Sequence, residues 1–582
     1  MLLIRGEIRL AVGRARHAVR CQKAPRRIEC VSSPQRKRGP QLTDENAKSA
    51  DIEGRDGAGK VTRRGFLTSS LLAGGGLVAL GGAAYGGYEW PHGASAPPPG
   101  SPSKPAAAKP IIEDVFSGRE EYEFVTRPDL HPPRVTLTRA RHFGAEAAGD
   151  PRHIFLSPKG YRVAGPGQQG LMIFDTDGRL VWFKPLFGAD NAPFDFQLQS
   201  YLGKPVLTWF QGKVIAGHGE GICYIADSSY HTIASVQAGN GLKADLHEFN
   251  LTPAGTALIT AYGTVPADLR PLGGPKHGEV LTCQAQEIDI ATGKLVFSWD
   301  SLDHVPIEDT YSTLAETPKG MPLDYFHMNS IALAADGNLI ISSRNTWAIY
   351  KVSRVTGEIL WRLNGKHSSF KMGPGASFYW QHHVRPHPGG LLSIFDDGAS
   401  PPEEPQSRAI FVHLDESTMT ATLQHAYTHP APVLAGNQGS VQLLDNGQVF
   451  VGWGNQPYFS QFLHDGPMIL DGRFPDDDQS YRAFVYDFVA TPSDMPALAL
   501  RSVTTGGHTL YVSWNGATHV DSWEVLAGKS ATGLTRVATA WRTGFETAIT
   551  VLSDGPYFAV VALDHNGAEI GRSKAVNKAV IA

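Results

Sequence analysis

The chain has 582 residues, with 52 Lys and Arg against 56 Asp and Glu, and a formal net charge of −4. That balance excludes bulk nucleic-acid binding through a basic surface. The length allows one large core plus a small domain, and 63 glycines, 40 prolines and 9 % aromatic residues suit a turn-rich all-β protein. There are four cysteines, Cys21, Cys30, Cys223 and Cys283. None forms a Cys-x-x-Cys pair, so a zinc ribbon is excluded. A Cys223–Cys283 disulfide stays open, because spacing alone does not bring two Cα atoms into range.

Residues 1–60 are basic and polar, with little apolar periodicity, and read as disordered or as an over-long start. Then comes Arg63-Arg64-Gly-Phe66-Leu67, followed by a Gly/Ala-rich apolar run from Leu71 to Tyr85. Paired arginines before a mildly hydrophobic stretch have the form of a twin-arginine export signal, over residues 61–90. The expected partner is the twin-arginine export machinery, and the expected location is the periplasm, the cell surface or the exterior. The run is close to bilayer-spanning length, so an uncleaved membrane anchor is the alternative to cleavage. Residues 91–109 form a Pro/Ala/Ser linker.

From 110 to 498 the pattern is one of short apolar strands between Asp-Gly, Asn-Gly and Thr-Gly turns, with no long amphipathic helix. Two phrases recur. The first sets a histidine at the start of a strand, then a glycine turn and an apolar strand. It occurs at Asp245-Leu-His247 with Gly255, at Tyr325-Phe-His327-Met-Asn329 with Gly337, and at Gln381-His382-His383 with Gly390. A fourth copy, Gln438-Gly-Ser440, lacks the histidine. The second phrase is a hairpin ending in tryptophan: Phe174 to Trp182, Ile288 to Trp299 and Val352 to Trp361, with Tyr224 to Asp227 as a degenerate copy. Alternating the two gives a unit of roughly 50 to 80 residues, and about five or six such units fit a β-propeller. From 499 to 582 alternating strands such as Ser522-Trp-Glu-Val-Leu526 fit a fibronectin-III-like β-sandwich without a catalytic cluster.

In a propeller, equivalent positions converge on a central channel, so His247, His327 and His382 become neighbours. His327 and Asn329 are two apart, and on a strand they face one side. Arg344 closes the second strand of that hairpin, which returns it toward His327. Imidazoles, an amide and a guanidinium suit a tetrahedral oxyanion, and one neutral imidazole can attack it. Single histidines such as His387, His413, His425, His429, His464 and His508 read as structural. A three-histidine metal site is the competing reading. The adjacent arginine argues against it, so no metal and no cofactor are expected.

The stretch from about His247 to Gly466 resembles the bacterial arylsulfotransferases that work without a nucleotide donor. The resemblance rests on Asp324-Tyr-Phe-His327-Met-Asn329, Asp336 to Arg344, Gly357 to Arg362, Gln381-His382, Ser393 to Gly398 and Gln438-Gly-Ser440-Val-Gln. It implies a six-bladed propeller, export, and sulfuryl transfer from an aryl sulfate donor to a phenolic acceptor by a ping-pong mechanism through a sulfated histidine. Carried over, His382 matches the nucleophile, and His327, Asn329, Arg344 and His247 match the pocket. His383 and Ser440 join Asn329 as substrate-binding candidates; the adjacent His383 makes the nucleophile ambiguous. No Gly-x-x-x-x-Gly-Lys nucleotide loop occurs. Two other readings compete: a non-catalytic exported ligand-binding propeller, and a quinoprotein-type oxidoreductase, whose propellers share Asp-x-x-Thr-Gly-Lys phrases.

Overall fold

A computed structural model describes residues 120–140, 151–160, 165–475, 478–502, 507–553 and 555–578. The chain divides into Met1–Leu77 and Val78–Ala582, and every described residue lies in the second unit. The arginine pair, the apolar run, the linker, Cys21 and Cys30 lie outside the described residues. Among the described residues the helices are three-residue 3-10 turns, and no helix is long and apolar enough to cross a membrane.

The strands are short, as the spacing of glycine turns predicts, and they pair as successive antiparallel meanders. The first joins Asp478–Tyr486 to His153–Gly160, Gly170–Asp175 and Leu180–Pro185. The second is Ala192–Tyr201, Lys204–Ile215, His218–Ala226 and Thr232–Val236. The third is Ala244–Leu251, Thr256–Ala267, Gly278–Asp289 and Leu295–Asp300. These two merge through a pairing of Gly221 with Ala244, and with Leu323–Asp324 added beside Gly278–Asp289 they make one nine-stranded sheet. The fourth is Met328–Leu333, Leu339–Ser343, Ala348–Val352 and Ile359–Asn364. The fifth is His382–His387, Leu391–Asp396, Arg408–Asp415 and Thr420–Tyr427. The sixth is Ser440–Leu443, Val449–Gly452, Tyr458–Phe462 and Met468–Arg473, with Thr136–Arg139 on its outer edge.

The leading strands of consecutive meanders touch one another in a closed ring, which is a propeller-like arrangement. Closure uses a strand from each end of the region: Asp478–Tyr486 pairs with His153–Gly160. Gly178, Gly293 and Gly357, at φ of 87°, 69° and 77°, turn the hairpins whose far strands carry Trp182, Trp299 and Trp361. A side chain with a Cβ is disfavoured at such φ. All three tryptophans are buried and cover the meander cores, as the recurring phrase predicts. Cys223 and Cys283 are both buried free thiols, which closes the disulfide option.

The C-terminal strands form two sheets. One holds Ala497–Ser502, His508–Ser513 and Glu546–Val551. The other holds Thr535–Trp541, Ser522–Gly528, Tyr557–Leu563 and Glu569–Arg572, with Val576–Asn577 added to Tyr557–Leu563. Leu510, Trp523, Val525, Phe558 and Val560 pack between them as a β-sandwich. It docks on the outer strand of the first meander. Phe183 N–H donates to Asn515 Oδ1 at 2.9 Å, and Asn515 Nδ2 donates back to the Phe183 carbonyl at 3.0 Å. Tyr230 Oη donates to the Gly516 carbonyl at 2.7 Å.

One charged network pins the ring from inside. Arg482, 1 % exposed in its side chain, donates from Nη1 to Asp195 Oδ1 at 2.7 Å and to Glu248 Oε1 at 3.1 Å. Its Nη2 reaches Glu248 Oε2 at 3.3 Å and the Asn329 carbonyl at 3.1 Å. Arg385 completes the set on Glu248 Oε1 at 2.9 Å. Burial alone would raise the Glu248 carboxyl, but Arg385 and Arg482 hold it below its usual range. Two guanidiniums thus balance two carboxylates across the leading strands of five meanders. Removing one partner of a buried pair typically costs about 3–5 kcal/mol. Arg482→Ala is therefore expected to lower the denaturant midpoint by that order, while an exposed change such as Arg572→Ala leaves it unchanged.

Candidate functional site

Three imidazoles converge at one end of the ring, and each is held by a carboxylate. Asp245 and His247 are two apart on one strand and share a face. Asp245 Oδ2 accepts from the His247 backbone N–H at 2.9 Å, lies 2.7 Å from Nδ1, and accepts from Thr260 Oγ1 at 2.8 Å. His327 Nδ1 bonds Asp324 Oδ2, three residues earlier. His382 Nδ1 lies 2.8 Å from Asp397 Oδ2, just past the end of the strand that returns after His382. With each Nδ1 engaged, the Nε2 atoms are the edges turned away from the carboxylates. Ligand atoms of the three rings lie within 4.8 Å of one another. The rings meet edge to face, His247 on His327 at 4.7 Å and His327 on His382 at 6.4 Å between centroids.

His382 has a defined tautomer. The backbone N–H of Gln438 donates to Nε2 at 3.3 Å, so the ring proton sits on Nδ1, toward Asp397. Burial, then Arg344, His327 and His247, drive the His382 pKa well below its ordinary value. Burial also lowers His327, against the pull of Asp324. Asp397 is pushed well up by burial, although Arg344 draws it down. Burial would raise Asp245 too, but the charge and hydrogen bonds of His247 and the Gly219 N–H bring it to about 2. His327 and His382 are thus held neutral at neutral pH.

Arg344 returns to the cluster as the hairpin predicts: its backbone N–H donates to the His327 carbonyl at 3.0 Å. Its guanidinium lies over the Trp380 ring at 4.7 Å and donates to Asn345 Oδ1 at 2.9 Å and the Gly436 carbonyl at 3.0 Å. Asn329 is buried in the same region with a different task from the one expected. Its Nδ2 donates to the Gln381 carbonyl at 2.7 Å, which positions the strand that carries His382. The strand alternation also breaks here, because a bulge lies between Met328 and Ser330 and His327 has φ of 54°. Gln438 has φ of 71°. Non-glycine residues in this left-handed region cost about 1–2 kcal/mol each, and such strain concentrates where structure over-determines a site.

The structure gives His383 and Ser440 structural roles. His383 Nδ1 accepts from the Val441 N–H at 3.2 Å, and its ring lies 5.4 Å from Phe484. Ser440 Oγ donates to the Ala483 carbonyl at 3.0 Å and accepts from the Ala483 N–H at 3.1 Å. Both stitch neighbouring leading strands together. Of the adjacent pair, His382 is the one whose ring meets His327, at 6.4 Å between centroids.

A cavity of about 110 Å³ reaches Asp324 and Asn345 between Ala216, Leu281, Ser312 and Met321. Beside Arg344 stands an aromatic wall. Tyr311 stacks on Trp347 at 3.5 Å, and Trp347 meets Tyr379 and Trp380 edge-on at 5.0 and 5.1 Å. Sequence reading missed this wall, the three carboxylates and Gln438. Asp245-x-His247 and Asp324-x-x-His327 carried a local signal for two of the carboxylates; Asp397 carried none.

An all-β ring with carboxylate-backed histidines and an arginine at its axis defines a propeller-like protein with a group-transfer site. Residues 197–475 match the model of the arylsulfotransferase (ASST) family. The matched range contains the whole cluster. The match supports arylsulfotransferase activity, a class whose substrates are small-molecule aryl sulfates and phenols. No curated protein matches the chain. Similar solved structures include a protein of unknown function from Bacteroides caccae, 11 % identical, TM-score 0.35, covering 58 % of this chain and 99 % of that one. The β-propeller domain of Myceliophteria thermophila Cps50 (Swd1) is 11 % identical, TM-score 0.29, covering 57 % and 97 %. A virginiamycin B lyase from Staphylococcus aureus is 9 % identical, TM-score 0.30, covering 66 % and 97 %.

The lowered pKa values of His327 and His382 set a sign for stability. Below about pH 6.5 the unfolded chain takes up protons that these folded imidazoles refuse, so stability is full above that pH and falls as pH drops. Urea midpoints are expected to decline on acidification from pH 7 to 5, and His382→Gln is expected to flatten the decline.

Proposed function

We propose that the protein is an exported sulfotransferase that moves a sulfuryl group between phenols by a ping-pong reaction through His382. The observation that carries this reading is the Gln438 N–H on Nε2, which keeps the Nε2 lone pair, and not a proton, at the axis. In the first half-reaction Nε2 attacks sulfur, an N–S bond forms, and the ester S–O bond breaks to release a phenoxide. The ring becomes cationic, and Asp397 at Nδ1 offsets the charge. In the second half-reaction an acceptor phenol oxygen attacks sulfur and the N–S bond breaks. Nε2 of His327 takes the phenol proton and returns it to the phenoxide leaving in the next turnover. Arg344 supplies fixed positive charge beside the equatorial oxygens, and Tyr311, Trp347, Tyr379 and Trp380 offer rings for the aryl groups.

Export follows from the Arg63-Arg64 segment by the twin-arginine route, with a periplasmic, cell-surface or extracellular destination. A donor other than a nucleotide sulfate fits that destination. The C-terminal sandwich serves as a fibronectin-III-like accessory that braces the first meander.

The test uses 4-nitrophenyl sulfate with and without phenol, following 4-nitrophenol release and intact mass. Phenol-dependent release and one sulfuryl adduct on His382 are expected. Arg344→Ala is expected to lower turnover about 10²–10³-fold, as loss of a single charge-stabilising donor does. Transfer at the wild-type rate by His382→Ala would sink the assignment. Fractionation of cells with Arg63 and Arg64 changed to Lys is expected to leave the protein inside.

A further inference from the structure

The same three imidazoles raise a second question, because several acceptors around them are buried without a donor. Asp324 Oδ1, Asn329 Oδ1, Gln381 Oε1, Asp397 Oδ1 and Gln438 Oε1 are all buried without a hydrogen-bond partner. Three carboxylates, Asp245, Asp324 and Asp397, stand directly behind the rings. Buried lone pairs without donors are costly, and they favour a guest that brings positive charge or protons.

We propose that the Nε2 atoms of His247, His327 and His382 bind a divalent transition-metal ion of the zinc class, and that the ion and the sulfuryl group exclude each other. Three observations carry this. The donor set is three imidazoles with one open position, an arrangement zinc accepts. Each ring is fixed through Nδ1 by a carboxylate, which is how metal-binding histidines are oriented and made more basic. The ligand atoms are already within 4.8 Å of one another. Around a tetrahedral ion with bonds of about 2.0–2.1 Å they would sit roughly 3.4 Å apart, so ring-tip shifts of about 1 Å complete the site. Arg344 opposes the ion by charge, but its Nη atoms are turned onto Asn345 Oδ1 and the Gly436 carbonyl. That opposition weakens binding and makes occupancy reversible.

Metal binding itself does not rest on the sulfotransferase reading; only its consequence for transfer does. With zinc on Nε2 of His382, the lone pair that attacks sulfur is occupied, so the metal acts as an off switch that aryl sulfate does not displace.

The experiment titrates the full chain, stripped with chelator, with zinc chloride by calorimetry, and records the visible spectrum with cobalt in place of zinc. One ion per chain and the cobalt bands of a tetrahedral nitrogen site are expected. Asp397→Asn, which leaves all three rings in place, should weaken zinc about 10–100-fold, as loss of a supporting hydrogen bond does. Arg344→Gln should tighten it, although the same change impairs transfer. Zinc should stop 4-nitrophenol release, and chelator should restore it. No heat and no cobalt bands would overturn the proposal, as would a zinc isotherm unchanged in both variants. Zinc binding without any sulfuryl transfer would keep this inference and discard the transferase reading; transfer without zinc binding would do the reverse.

Discussion

The buried Arg482 network is the constraint on which the ring depends. A closed ring of meanders has no layer above or below it to cover its axis, so the leading strands must satisfy one another there. Apolar side chains would close that space but would fix no register. Arg482 instead reaches Asp195, Glu248 and the Asn329 carbonyl at once, and Glu248 receives Arg385 and the Ile331 N–H. Each bond requires its strand to sit at one height along the axis. A slip of one residue would leave a charge unpaired in a medium where that is expensive. The network therefore sets the relative heights of the strands, and with them the heights of His247, His327 and His382.

The site uses that placement. His327 and His382 stand at the start of their leading strands and His247 within its own, and a carboxylate catches Nδ1 of each. The three supports differ in origin: one lies two residues earlier on the same strand, one three residues earlier on the short strand Leu323–Asp324, and one just past the end of the returning strand. The outcome is the same in each case, with Nε2 facing the axis. Burial and the neighbouring rings hold His327 and His382 neutral, since protonating one raises the cost of protonating the other. Neutral nitrogen with a free lone pair is what both attack on sulfur and metal ligation need, so one geometry serves two chemistries. Arg344 biases the choice between them toward the anion.

Much of this was legible in the residues. The histidine, the glycine turn and the apolar strand recur at matching offsets, and a period of that kind implies equivalent places in a ring. The hairpin from Asp336 to Arg344 has too few residues to do anything but bring Arg344 back beside His327. The tryptophans at the ends of the second phrase are buried for the same local reason. Other assignments failed on orientation. His383 comes directly after His382, yet it bonds Val441 and packs near Phe484. Ser440 occupies the histidine position of its meander, yet it ties down Ala483. Strand alternation aims Asn329 at substrate, but a bulge turns its amide onto the Gln381 carbonyl.

The chain alone, through its alternation and glycine turns, determines that this protein is made of short antiparallel strands and which residues open the leading ones. It also determines the local pairs, such as Asp245 with His247, because neighbours on a strand share a face without help from the rest of the fold. Closure of the ring creates contacts of another kind. Arg482 meets Asp195 and Glu248 across 287 and 234 positions of sequence, and Gln438 meets His382 across 56. Such contacts have no local signature, because they exist only once separate meanders have packed together: two consecutive ones for Gln438 and His382, and the closing strand for Arg482. The tautomer of His382 arises at the first of these steps.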